Sequence, residues 1–199
     1  MFIIGVDLGQ KRDHTAIVMV EKPYRHPLAS VADPTLTVRM AQRLPLGTLY
    51  PTTVEVIRYV VGMAMRAGYV RGQVACQLVV DATGVGRPVV DALQSAGLGC
   101  QVTAVTITGG DKQHYRRGEG SSMNVPKQDL MAQLLMALEN GELKIAARMK
   151  EAGTLKRELL DVRMSRRENG QIRLGADEYG QHDDLVIALA LAVWRAKRF

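Results

Sequence analysis

The sequence predicts a mixed α/β domain: an antiparallel three-strand meander extended by parallel strands, flanked by helices, with a β-hairpin before the last helix. Three observations predict it. Three short apolar runs precede any helical pattern, later apolar runs alternate with helical spacing, and the chain closes on HDDLVIALALAVWRAKRF, apolar on nearly every side.

The elements follow in order. FIIGVD (2–7) is an apolar run entering an acid, TAIVMVE (15–21) is a second run after a polar turn, and LTVRMAQRL (36–44) alternates with period two. Pro23, Pro27 and Pro34 make 22–35 a loop. Pro51 opens a helix carrying Val54, Ile57, Val60, Val61, Ala64 and Met65 at three-to-four spacing, ended by Gly68. QLVVD (77–81) is a strand that again ends in an acid; ATGVGRP follows, then a helix from about Pro88 to Ala96. QVTAVTIT (101–108) is a strand, 109–125 a loop, and Pro126 opens the helix LMAQLLMALEN, closed by Gly141. Leu143–Ile145 is a short strand and 147–158 a basic helix. LDVRMS and QIRLGA flank RRENG, whose Asn-Gly pair signals a hairpin. The buried final helix covers 182–199.

Composition narrows the function classes. Of 199 residues, 47% are hydrophobic, which excludes a disordered chain. Cys76 and Cys100, without histidine partners, make neither a disulfide scaffold nor a zinc site, so a reduced, intracellular chain is expected. Leu185–Trp194 is too short to span a bilayer, and MFIIGVDLG lacks a basic leader, so no membrane association is expected. There are 26 Lys+Arg against 20 Asp+Glu, a net charge of +6. Five of those six charges fall between Lys144 and Arg173, and Lys112, His114, Arg116, Arg117 and Lys127 form a second cluster. Basic groups so gathered fit a phosphate backbone, or else a solvated helix face and loop.

Acids stand where the apolar pattern predicts buried ends. Asp7 ends the first strand, Asp81 ends the fourth, and Asp183-Asp184 begins the last helix. Each alone reads as a turn former or helix cap. If the first and fourth strands are neighbours, Asp7 and Asp81 converge, and such carboxylates repel unless a cation balances them. Oxygen donors without a Cys or His cluster favour Mg²⁺ or Mn²⁺, and two such ions would serve phosphodiester hydrolysis. Asp184 shares a helical stripe with Ala188 and Ala192, whose small side chains allow close approach to the sheet, so Asp184 is the preferred ligand. Asp183 then serves as cap, auxiliary ligand or water orienter. His182 is a proton shuttle or a surface histidine, and Asp13 a supporting acid or a polar turn residue.

GVDLGQKRDHTAIVMVE, VVDATGVGRPVVDAL, VPKQDLMAQLLMALENGELKI and GQHDDLVIALALAVW resemble, in that order, the nuclease domain of the terminase large subunit. That subunit is the DNA-packaging motor protein of tailed bacteriophages, with relatives in herpesviruses. The match runs from Met1 to about Arg195. The resemblance implies a ribonuclease H-like fold and a metal-dependent endonuclease that cuts concatemeric viral DNA during packaging. By motif, Asp7, Asp81 and the Asp183/Asp184 pair correspond to the family's metal-binding acids. The hypothesis that follows has Asp7 bridging two Mg²⁺ or Mn²⁺ ions, Asp81 binding one and Asp184 the other. Double-stranded DNA would be held by Arg87, Lys112, Arg116, Arg117, Lys127, Arg163, Arg166 and Arg167, with little sequence specificity. Arg87 has the alternative of lying along its own helix.

The resemblance further implies a packaging ATPase domain, portal and small terminase subunit as partners, and action in the host-cell cytoplasm rather than in the mature virion. Nothing fits the nucleotide-binding pattern G-x-x-x-x-G-K-[ST], so 1–199 is expected to be a single nuclease domain without the ATPase. Competing readings are a nucleotide-binding domain of the actin, sugar-kinase and chaperone class, a Holliday-junction resolvase, and a non-catalytic DNA-binding module.

Overall fold

The structure, a computed structural model, describes residues 1–198 except 10, 12, 24–34, 69–75, 110–121, 167–171 and 176–181. For Val85 and for 163–166 and 172–175 it describes the backbone alone.

Strands β1 (Phe2–Asp7), β2 (Ala16–Glu21) and β3 (Leu36–Arg43) form the expected antiparallel meander. β4 (Cys76–Asp81) joins the other side of β1 in parallel, followed outward by β5 (Gln101–Thr108) and β6 (Ser122–Pro126). β7 (Leu143–Ile145) pairs in parallel with β3, giving the seven-strand order β6-β5-β4-β1-β2-β3-β7.

The period-two alternation of β1 divides the core. Phe2, Ile4 and Val6 pack with α1 (Tyr50–Ala67) and α2 (Arg87–Ser95), whereas Ile3 joins the cluster on the opposite face. That second face carries α3 (Lys127–Glu139), α4 (Ala152–Asp161) and α5 (Asp184–Ala196). Every residue of α5 is buried, as its all-round apolar pattern requires. The helix lies so close to β1 that a Cβ on Gly5 would run into the Ala188 carbonyl oxygen and stand 2.9 Å from the Ala192 amide nitrogen. The small-residue stripe Asp184-Ala188-Ala192 is thus the one that meets the sheet. Near the far end of α5, Arg195 Nε donates to Gln77 Oε1 of β4 at 2.7 Å, satisfying a buried polar pair.

Two expectations are corrected. Residues 122–126 at the end of the predicted 109–125 loop form β6, an edge strand whose Pro126 sits at its terminus, where a missing N–H is tolerated. The basic helix predicted at 147–158 begins and ends later, at Ala152 and Asp161, since Leu155 and Glu158 provide its buried face. A turn of 3₁₀ helix, Gly84–Gly86, precedes α2. β8 (Arg163–Arg166) and β9 (Ile172–Gly175) pair antiparallel as the hairpin signal predicts, its Asn-Gly turn lying outside the described residues. Among the described residues no helix is long and apolar enough to cross a membrane.

Candidate metal centre

Backbone alternation places the first two acids. Val6 of β1 lies opposite Val80 of parallel β4, so the strands end side by side at Asp7 and Asp81. Asp7 has the parity of Ile3 and Gly5, and Asp81 that of Gln77 and Val79; both therefore face the side that α5 covers. The α5 N-terminus arrives over the same strand ends with Asp183 and Asp184. The result is a pocket of about 310 Å³ lined by Asp7, Asp13, Asp81, Asp183 and Asp184, with Leu8, Thr83, Ile107, Lys127 and Ile187 completing its wall.

The electrostatics are strained in one direction. Burial pushes the Asp7 carboxyl well above the usual carboxylate range, and the charges of Asp81, Asp184 and Asp183 push it further, against Lys127. Burial also raises Asp81, opposed by hydrogen bonds from Thr83 and by Lys127. Asp184 is raised by burial, opposed by Arg43 and His182. Its Oδ2 is buried and finds no hydrogen-bond partner among the described residues, with Arg43 Nη2 at 3.5 Å and His182 Nδ1 at 3.6 Å as charged neighbours. Clustered, partly desolvated carboxylates with an unsatisfied oxygen are a donor set suited to a hard divalent cation. The residues present fit Mg²⁺ or Mn²⁺.

The remaining predicted site residues separate into groups. Asp13, His182 and Asp184 offer ligand atoms within 4.8 Å of one another, so His182, read from the sequence as a proton shuttle or a surface histidine, brings a nitrogen donor to the acids. The His182 ring meets His14 edge-on, centroids 5.2 Å apart. Asp183 stands just before α5, yet its side chain makes no cap hydrogen bond; Lys127 Nζ holds it at 2.8 Å. Arg87 is exposed and lies 3.4 Å from Asp91, along its own helix. Lys112, Arg116, Arg117 and Arg167 lie outside the described residues, and the side chains of Arg163 and Arg166 are likewise not described.

Two residues that support the site escaped the sequence reading. Glu158 of α4 takes the cap expected of Asp183: its Oε2 accepts the Leu185 N–H at 3.0 Å, and its Oε1 lies 2.5 Å from Arg43 Nη2. Burial pushes its carboxyl up to about 7, against Arg43. The available signal was its position three residues after Leu155, within an apolar stripe. Arg43 carried a misleading signal. Unbroken alternation from Leu36 puts position 43 on the face opposite α5, but the β2–β3 register shifts between Met19 and Val20, leaving Arg39 as an extra residue. That bulge reverses parity, so Ala41 packs toward α5 and Arg43 reaches Asp184.

No family model matches the chain, and no curated protein matches it. Solved structures do. The large terminase nuclease from thermophilic phage G20c with bound magnesium superposes with a TM-score of 0.67 at 19% identity, covering 98% of this chain and 81% of that one. The fold is that of the terminase nuclease domains. The nuclease domain of the bacteriophage SPP1 large terminase with bound Mn gives a TM-score of 0.56 at 13% identity, covering 98% and 85%. The Mn-soaked human cytomegalovirus terminase nuclease domain gives 0.55 at 14%, covering 98% and 83%. The ribonuclease H-like fold implied by the sequence resemblance is therefore present. Among these neighbours, the G20c nuclease has been solved with bound magnesium and with bound cobalt, and the SPP1 domain with bound Mn.

Proposed function

We propose that this chain is a divalent-metal-dependent endodeoxyribonuclease that cuts concatemeric viral DNA during genome packaging. The observation that carries the reading is the convergence of Asp7, Asp81, Asp183 and Asp184 on one pocket of a terminase-nuclease fold. Asp7, Asp81 and Asp184 would hold two Mg²⁺ or Mn²⁺ ions, with Asp7 shared between them and Asp183, Asp13 and His182 auxiliary. Divalent ions bound there would lower the pKa of water and offset charge on the phosphodiester, favouring hydrolysis to 3′-hydroxyl and 5′-phosphate ends.

The chain's own groups complete the site. Lys127, at the pocket wall, brings positive charge to a scissile phosphate while restraining Asp183. Arg43 and Glu158 hold Asp184 and the start of α5 at a set distance from β1. The basic residues of 112–117 and of the 163–167 hairpin would grip the duplex backbone, which carries no base identity. The packaging ATPase domain, portal and small terminase subunit are the proposed partners, and the host-cell cytoplasm the place of action.

Plasmid nicking with Mg²⁺, Mn²⁺ or EDTA tests the reading. Cleavage is expected with either ion and not with EDTA, and Asp7→Asn, folded by circular dichroism, is expected to be inactive. A folded Asp7→Asn protein that still cuts in Mn²⁺ would defeat the assignment.

A further inference from the structure

We propose that Thr83 is a positioning residue for Asp81: its hydroxyl sets which carboxylate oxygen Asp81 presents to the pocket, and so how tightly the acid cluster holds a divalent cation. The proposal rests on the metal reading above.

Asp81 Oδ1 accepts two hydrogen bonds from one residue, the Thr83 backbone N–H at 2.8 Å and the Thr83 hydroxyl at 2.5 Å. The hydroxyl is itself directed. Thr83 Oγ1 accepts the Ile107 N–H of β5 at 2.9 Å, and because that contact uses Ile107's proton, the single hydroxyl proton remains for Asp81. Ala82 N–H donates to the Val105 carbonyl at 2.7 Å, anchoring the connecting residue to the same strand. A turn that only followed β4 would need the backbone donor alone. The hydroxyl does something further: it locks the Asp81 carboxylate to β5, occupies Oδ1 and leaves Oδ2 free of Thr83.

Asp81, Thr83 and Ile107 line the same pocket as the other acids, so fixing one oxygen of Asp81 bears directly on the donor set found there. A ligand held in one rotamer loses less freedom on binding than one that must be ordered.

The experiment uses Thr83→Val, which keeps the side-chain shape and backbone donor but removes the hydroxyl, and Thr83→Ser, which restores it. Mn²⁺ binding to each purified protein is measured from the electron paramagnetic resonance signal of free Mn²⁺, alongside circular dichroism and plasmid nicking across a Mn²⁺ titration. Thr83→Val is expected to raise the Mn²⁺ dissociation constant about tenfold and the half-saturating Mn²⁺ for nicking in parallel, while nicking at saturation is retained. Thr83→Ser is expected to stay within about threefold of the wild type. Thr83→Ala gives the same comparison if valine distorts the turn. Equal Mn²⁺ affinity in Thr83→Val or Thr83→Ala and the wild type would make Thr83 a turn residue only and overturn the proposal. Thr83→Ser as weak as Thr83→Val would overturn it as well, since the hydroxyl would not be the cause. A wild-type protein that takes up no Mn²⁺ would instead overturn the metal reading, a result distinct from either.

Discussion

Replacing Gly5 by Ala tests the contact on which the site is built, and Gly62→Ala supplies its control. At Gly5 the added methyl would run into the Ala188 carbonyl oxygen and approach the Ala192 amide nitrogen at 2.9 Å. Both obstacles are backbone atoms of α5, a helix buried along its whole length, so no side chain can swing aside. The helix must withdraw from β1 until the methyl finds ordinary contact near 3.5 Å. Overpacking a tight core costs about 1–3 kcal/mol, and a backbone obstacle belongs at the upper end, about 3 kcal/mol. For a chain of this size that lowers Tm by about 6–12 °C. At Gly62, inside α1, the methyl meets only the tip of Arg66, with Nη1 at 3.4 Å. There the helix propensity of Ala dominates, and stability rises by about 0.5–1 kcal/mol. Thermal melts and urea titrations of the two variants should therefore move in opposite directions. Because β1 carries Asp7 and α5 carries Asp184, Gly5→Ala should also lose divalent-ion binding at temperatures where it remains folded. A Gly5→Ala protein as stable as the wild type would refute the claim that α5 rests directly on β1.

Two further predictions concern the acids. Asp7 is raised well above its ordinary range in the folded state, so its contribution to stability is full at low pH and is lost as pH rises through the folded value. Asp7→Asn should therefore melt higher than the wild type in EDTA at neutral pH, yet gain less from added Mn²⁺; a lower melting point in EDTA would contradict the repulsion at that position. Glu158 is raised from 4.5 to about 7, so the same sign applies, with stability lost between about pH 4.5 and 7. In EDTA, urea unfolding should show the wild type weakening across that window, and Glu158→Gln, which keeps an oxygen for the Leu185 N–H, should weaken less. Parallel pH slopes for the two proteins would remove Glu158 as the cause.

What the sequence made legible was whatever depended on a single strand or helix. An acid ending an apolar run marks a strand terminus, and period-two parity then predicts which face Asp7 and Asp81 occupy, provided the strands are neighbours. Period 3.6 likewise singles out the Asp184-Ala188-Ala192 stripe, and Gly5 supplies the groove that receives it. Residues 122–126 were illegible because a five-residue edge strand with polar Ser122 and Asn124 has little burial to display. The residues that support Asp184 were hidden for a different reason. Arg43 points inward only because β3 carries one more residue than β2 at the bulge, and that mismatch belongs to the pair of strands rather than to either. Glu158 is one acid among many basic neighbours until α4 docks beside α5 and presents it to the Leu185 amide. A pocket of like charges can be read from local periodicity, since each acid is placed by its own element. The cations that hold such a pocket together come from other elements, and their placement is settled by register and docking. The variants most informative about this site are therefore those at Arg43 and Glu158, where tertiary structure, not local pattern, assigns the partner.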